Sequence, residues 1–339
     1  MRVAALLLLF AAACSQKPED LPTARAAVET EPVASADDAA DDPAIWFNAD
    51  DPAASLVLGT DKDAGLYLYD LAGAVVQFLP AGELNNVDLR QNLTLGDWSG
   101  VIAAASNRTD NTVTLFTLEN RAATVSGAFP SPIVEPYGLC MGLAGADALV
   151  FVTYKTGDLI AFRLSGPDAG EEIGRLKLAS QLEGCVFDDE MRTLYIGEED
   201  RGVWKADFAD GKLTNPRLVD EVRKESGLKD DVEGLALYKT GPGEGYLIAS
   251  SQGNHTYAVY ERQGENRFIG RFRIAAGDAI DGAEETDGLE AASLALSPDF
   301  PKGVLVVQDG FNDPKGSAQN FKIVDWREIE KALALGEQP

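Results

Sequence analysis

Positive charge is scarce in this chain of 339 residues. Lysine and arginine number 29 against 55 acidic residues, and the formal net charge is −26 at pH 7. A surface of that sign repels nucleic acid and anionic lipid. It also repels a polyanionic small molecule, unless bound metal reverses the local sign. Histidine is almost missing: His255 is the only one, which excludes a dimetal centre built on several imidazoles. The apolar start of the chain covers 13 residues, too few to span a bilayer comfortably. Strong helical patterning is scarce. What is present is 45% apolar residues, enough for a real core and unlike a disordered chain. The length suits one large β domain or two ordinary ones.

The N-terminus reads as a targeting signal. Arg2 supplies the positive region, Leu6 to Phe10 most of the apolar stretch, and Ala11-Ala-Ala-Cys14 small residues before a cysteine. That box resembles a bacterial lipoprotein cleavage site, although a Leu three residues before the Cys is more usual. Residues 1–13 are expected to be removed and Cys14 lipidated; an ordinary secretory signal is the alternative. Residues 14–35, rich in Ala, Pro, Glu and Thr, read as a flexible tether, and residues 36–339 as the folded domain. The expectation is an exported, monomeric lipoprotein of a Gram-negative bacterium, outer-membrane or periplasm-facing, that meets the membrane only through its anchor. Cys140 and Cys185 remain. Export permits a disulfide between them. Two isolated cysteines also read as small buried residues, and that reading is preferred here.

Short apolar alternations separated by Gly, Asp and Asn argue for an all-β fold. One hairpin pattern recurs: Leu56 to Tyr69, Val101 to Phe116, Leu149 to Phe162, Leu194 to Lys205, Tyr246 to Tyr260, and Val304 to Phe311, resuming from Asn320 to Val324. The interval is roughly 45 to 57 residues, as propeller blades require. The predicted architecture is a six-bladed β-propeller with a short C-terminal helix, capped by Asp325 with Glu328 three residues on and stopped by Gly336. The small residues of the hairpins suit crowding around an axis. Their turns would share one face: Asp61-Lys62, Asn107-Arg108, Tyr154-Lys155, Glu198-Glu199-Asp200, Gln252-Gly-Asn254 and Gln308-Asp309.

Carboxylates gather near these turns. Besides Glu199 they include Asp41 and Asp42, Glu183, Asp231 and Glu233, and Asp281 and Asp287. Many precede glycine, which permits tight turns that bring oxygens together. All-oxygen donors suit Ca²⁺, and without a continuous EF-hand loop any cage must draw on distant segments. Lys62, Arg108, Lys155 and Lys322 are expected to face the same way. Carboxylate-held metal beside Arg and Lys suits a phosphate group. No Arg-His-Gly motif accompanies His255, and neither Cys140 nor Cys185 has Arg six residues later. Phosphohistidine and phosphocysteine mechanisms are thereby excluded.

Twelve stretches carry a resemblance to the calcium-dependent β-propeller phytases. They are Asp41-Asp-Pro-Ala-Ile-Trp46, Leu84-Asn-Asn-Val-Asp-Leu-Arg90, Ala103-Ala-Ala-Ser-Asn-Arg108, Val134-Glu-Pro-Tyr-Gly138, Glu183-Gly-Cys-Val-Phe-Asp-Asp-Glu190 and Leu194-Tyr-Ile-Gly-Glu-Glu-Asp200, then Asp231-Val-Glu-Gly-Leu235, Ala249-Ser-Ser-Gln-Gly-Asn254, Tyr257-Ala-Val-Tyr-Glu-Arg-Gln263, Glu285-Thr-Asp-Gly288, Val307-Gln-Asp-Gly310 and Gln319-Asn-Phe-Lys322. The resemblance spans Asp41 to Leu333. It implies stepwise removal of phosphate from phytate, taken up as a calcium complex, by metal-activated water. It implies that Asp42, Glu183, Glu199, Asp231, Glu233, Asp281 and Asp287 hold calcium or activate water, with Asp41 beside them. Lys62, Arg108, Tyr137 and Lys155 match the phosphate contacts, and Asn312, Gln319 and Asn320 fall in a structural calcium stretch. The family often has Lys-Lys where this chain has Lys62-Asp63, and Lys-Glu where it has Lys155-Thr156.

Taken singly, each acidic turn and each cation reads as solvated surface. Their repetition over six turns weakens that reading. Trp46, Trp204 and Trp326 read as packing residues. Two other functions fit a propeller of this composition. A calcium-dependent lactonase or phosphotriesterase leaves Lys62, Arg108 and Lys155 without a role. A non-catalytic binding propeller predicts an apolar or aromatic face, not a charged one.

Overall fold

The alternating hairpins form strands whose inward side chains fill the spaces between sheets. In the computed structural model, residues 21–222, 225–313 and 317–336 are described. Six sheets follow one another along the chain, four built wholly from sequential antiparallel neighbours and two with an added N-terminal strand. The hairpin of the first blade, for example, is Leu56–Asp61 paired with Gly65–Asp70, from Leu56 opposite Asp70 to Asp61 opposite Gly65. Sheets pack face to face as in a propeller. Phe151 and Phe187, from neighbouring blades, stack with centroids 5.1 Å apart, and Phe208 meets both edge-on.

The innermost strand of each blade is the one that precedes the hairpin, not part of it. These six strands are Ala40–Trp46, Leu84–Leu95, Leu139–Ala144, Leu182–Asp188, Val232–Gly241 and Leu289–Ala292, and neighbouring ones pack against each other around the axis. Most are buried on both faces near the axis, so they lack the alternation that marks a half-exposed strand.

The ring closes with residues expected to be tether. Val28–Glu29 pairs antiparallel with Asn320–Asp325, Val28 opposite Ile323 and Glu29 opposite Lys322, and supplies the outer strand of the last blade. Thr23–Ala24 adds a parallel fifth strand to the preceding blade. The boundary at residue 36 is therefore too late. The last blade has only three strands of its own after residue 288, and pairing with an N-terminal strand completes it. The signal region 1–13 and Cys14 lie outside the described residues.

Cys140 and Cys185 form a disulfide, with Cα atoms 5.6 Å apart, against the preferred reading of two separate thiols. They lie 45 residues apart in sequence but on adjacent innermost strands, which the propeller brings side by side. The C-terminal helix Trp326–Leu333 is capped by Asp325, which accepts from the Arg327 N–H at 3.0 Å. It ends at Ala334 in the left-handed region rather than at Gly336. Trp326 is fully buried and stacks on Tyr238, with centroids 3.5 Å apart. Among the described residues no helix is long and apolar enough to cross a membrane.

Candidate active site

Strand register places the functional side chains in two rings at one mouth of the channel. The reference pairs are Pro43–Gly59, Val87–Ala105, Leu139–Val152, Cys185–Ile196, Leu235–Ala249 and Leu289–Val307. Two residues back along the innermost strand gives Asp41, Asn85, Tyr137, Glu183, Glu233 and Asp287. Three residues on along its partner gives Lys62, Arg108, Lys155, Glu199, Gln252 and Gly310. The inner ring is thus mostly acidic, and three of the six outer positions are cationic.

A β-bulge builds the inner ring in four blades. Pairing skips two residues between Ala40 and Pro43, Leu84 and Val87, Leu182 and Cys185, and Val232 and Leu235. The freed residues are Asp41-Asp42, Asn85-Asn86, Glu183-Gly184 and Glu233-Gly234. Unpairing the backbone there re-aims the side chain. Glycine has a different purpose from the turns expected of it. Gly138, Gly184, Gly234 and Gly288 are absent from the positive-φ glycines. Instead a Cβ at each would strike the start of the next blade's innermost strand: Glu183 from Gly138, Glu233 from Gly184, Asp287 from Gly234, and Asp42, beside ring member Asp41, from Gly288. The Gly234 N–H donates to the Asp287 carbonyl at 2.7 Å, and Gly288 donates to the Asp41 carbonyl at 3.1 Å.

Carboxylate oxygens of Glu183, Glu199 and Glu233 lie within 4.8 Å of one another, a group able to hold a metal ion. Glu183 and Glu233 are buried, and Glu199 is half-buried. Buried oxygens of Asp41 (Oδ1), Glu199 (Oε1) and Glu233 (Oε2) have no hydrogen-bond partner. Such orphan anionic oxygens are what a divalent cation would satisfy, so the donor set fits a metal. Burial pushes the Glu199 carboxyl up to about 7, with Glu183 adding to the rise. Burial likewise takes Asp41 and Asp287 up to about 7, against the opposing pull of Lys62. Glu233 is raised well above the usual carboxylate range by burial and then by Glu183; burial also raises Glu183 itself. Asp42 is raised by burial and then by Asp41, while its Oδ2 accepts from the Val87 N–H at 3.0 Å. Burial, Glu183 and Glu233 keep Tyr137 a neutral phenol.

The cations meet this acidic centre differently. Lys62 donates to Asp38 at 2.8 Å and to Asp287 at 2.9 Å, and lies 3.8 Å from Asp41. Lys155 Nζ sits 4.4 Å from the Tyr137 ring centroid. Arg108 Nη2 donates to the Lys62 carbonyl at 3.5 Å, and its Nε is buried without a partner. Gln252 donates to the other oxygen of Asp287.

Other expected residues fall outside the two rings. Asp231 is a rim residue with φ 60°, its carbonyl accepting from the Gln252 N–H at 2.9 Å. Asp281 belongs to a second assembly on the last blade. There Lys322 is fully buried between Glu29 (2.8 Å), Asp309 (3.2 Å) and Asp281, and Asn312 Oδ1 accepts from it at 3.3 Å. Lys322 therefore does not face the mouth with Lys62. Asn320 donates to Glu29 at 3.3 Å, and Gln319 donates to the Gly310 carbonyl at 3.1 Å and accepts from the Ala39 N–H. His255 accepts from the Glu285 N–H at 3.0 Å. Asp63 is exposed, and Thr156 donates to Asp158 at 2.6 Å. Asn85 and Asp38 were missed among the candidate residues. Aligning the blades by register would have exposed Asn85, since it occupies the position of Asp41, Glu183 and Glu233.

Fold and site define a six-bladed propeller with an acidic, metal-suited centre ringed by cations at one mouth. A family model described as Phytase matches residues 2–339. The chain belongs to the phytase family and is an enzyme of that class. It is 41% identical over 327 residues to the 3-phytase of Bacillus subtilis (strain 168), covering 92% of this chain and 85% of that one. A solved structure of a functionally unknown protein from Desulfotomaculum acetoxidans DSM 771 is a looser match, with TM-score 0.49, 15% identity, and coverage of 67% of this chain and 70% of that one.

Proposed function

We propose that this protein removes phosphates stepwise from phytate in a Ca²⁺-dependent hydrolysis at the mouth of the channel. The observation that carries the reading is the pairing of the two rings. Orphan carboxylate oxygens line the inside, and Lys62, Arg108 and Lys155 sit one step outward in register. Membership of the phytase family and likeness to a Bacillus 3-phytase support the substrate.

Glu183, Glu199 and Glu233 would hold Ca²⁺, with Asp41, Asp231 and Asp287 close enough to share its field and Asp42 adding charge behind Asp41. Bound Ca²⁺ would supply positive charge to phosphoryl oxygens and acidify water. The remaining steps belong to the chain. Arg108 and Lys155 bind non-bridging oxygens, Arg108 through two N–H groups and Lys155 as a point charge. Tyr137, a neutral phenol, donates a hydrogen bond to the same phosphate. Glu199, half-buried at the edge of the carboxylate group, takes a proton from the water that attacks phosphorus. The P–O ester bond breaks opposite the attack, and the inositol oxygen leaves as a hydroxyl after gaining a proton from solvent. Export and lipidation of Cys14 belong to this reading and are supported by the Ala11-Ala-Ala-Cys14 box.

The test is phosphate release from phytate by the purified protein, with Ca²⁺ titrated in after chelation. Release that appears only with Ca²⁺ is expected. Release at full rate in chelator would overturn the metal dependence, and no release at any Ca²⁺ concentration would overturn the substrate.

A further inference from the structure

Asn85 is the one uncharged oxygen donor in the inner ring besides the Tyr137 phenol. It is fully buried and sits in the same two-residue bulge as Asp41, Glu183 and Glu233 in their blades. Its amide is oriented by chemistry. Nδ2 donates to Glu183 Oε1 at 3.2 Å and to Asn86 Oδ1 at 3.0 Å. A flipped amide would set oxygen against a carboxylate, so only this orientation is favourable. Oδ1 is left buried with no hydrogen-bond partner. Leaving a buried carbonyl unpaired is costly, so a fold that retains one has a use for it.

Resting on the calcium-dependent reading above, we propose that Asn85 is a member of the metal centre with two roles. Through Oδ1 it offers the bound cation an uncharged oxygen. Through Nδ2 it fixes the Glu183 carboxylate in place. A neutral donor here has a clear physical advantage. Asp41, Glu183, Glu233 and Asp287 already share the ring, and a fifth inner carboxylate would add repulsion that the metal-free protein must bear. An amide adds a ligand oxygen at no charge, as Ca²⁺ sites commonly use.

The experiment is a Ca²⁺ titration of thermal stability on the chelated full chain, for native protein, Asn85→Ala, Asn85→Leu and Asn85→Asp. The midpoint of Ca²⁺-induced stabilisation is expected to move at least tenfold higher in Asn85→Ala and Asn85→Leu. Asn85→Asp keeps an oxygen and nearly the same volume, and serves where the other two fail to fold. It should hold Ca²⁺ within a few-fold of native, yet lose turnover on phytate because the donor to Glu183 is gone. Native midpoints in the Ala and Leu variants, with melting lowered equally in chelator and in Ca²⁺, would reduce Asn85 to a packing residue and overturn the proposal. So would native turnover in Asn85→Asp. The Ca²⁺ midpoint is read without substrate, so failure of the native protein to act on phytate is a separate result.

Discussion

Lys62 donates a hydrogen bond to Asp287 across 2.9 Å, and the first blade thereby grips the last. Asp38 and Asp41 crowd the same ammonium. Before substrate or metal arrives, the cation expected to meet phosphate is already engaged with carboxylates. Burial works to deprotonate Lys62, but Asp41, Asp287 and Asp38 outweigh it and hold its pKa above the ordinary value.

Replacing Lys62 by Met should therefore strand buried negative charge in the chelated protein. Breaking such a pair costs roughly 3 kcal/mol where the carboxylates are ionised. The loss should be large at pH 8 and smaller at pH 5, where Asp41 and Asp287 take up protons. Denaturant melts in chelator at the two pH values measure it. Equal losses at both would show that the ion pairs carry no net stability.

The metal-free fold should weaken as pH rises. Asp41, Asp287 and Glu199 have folded pKa values raised to about 7, from ordinary values of 3.8, 3.8 and 4.5. Between those limits the folded chain binds more protons than the unfolded one, so stability falls with increasing pH. Ca²⁺ should reverse the trend, since its ligands bind it deprotonated. Thermal melts from pH 4 to pH 8, with chelator and with Ca²⁺, are expected to diverge. A curve in chelator that does not fall with pH would mean that these three groups do not couple to folding.

Gly184→Ala should lose about 1–3 kcal/mol of stability and at least tenfold in phosphate release, because its Cβ would collide with the Glu233 carbonyl. Gly241→Ala is the control: its nearest neighbour, Glu244 Oε2, lies at 3.6 Å. A Gly184→Ala protein that melts and turns over like the control would show that the rings tolerate slack.

Arg108→Ala and Glu199→Gln should fail in different ways. Loss of the guanidinium is expected to lower phosphate release about a hundredfold while Ca²⁺ stabilises the fold as before. Glu199→Gln should lower kcat more than it changes KM, and should also weaken Ca²⁺ binding. Steady-state kinetics beside Ca²⁺ titrations separate the two. Identical profiles would assign both residues to the same task.

Much of the fold was legible because hairpin alternation is a local signal. The second and third strands of each blade are short apolar runs joined by a polar turn, and that contrast recurs six times between neighbours along the chain. Glu199, Lys62, Arg108 and Lys155 were legible for the same reason, lying in the turns that follow. The innermost strands were harder, since each precedes the apolar-turn-apolar unit and four are interrupted near their start by charged or amide residues, Asp41, Asn85, Glu183 and Glu233. Val28–Glu29 gave no signal: a two-residue strand becomes one only because Asn320–Asp325 offers it an edge. Lys322 was misplaced because its partners, Glu29, Asp281 and Asp309, come from three distant stretches.

The linear chain determined by itself that there would be repeating β units, and which residues could bind metal or phosphate. Periodicity and side-chain chemistry are properties of neighbours along the backbone. Only the tertiary structure decided which carboxylates form one centre, that Asn85 stands among them, that Cys140 meets Cys185, and that the N-terminal strand closes the ring. Those outcomes depend on register and on the approach of one blade to the next, and no stretch of sequence contains both partners.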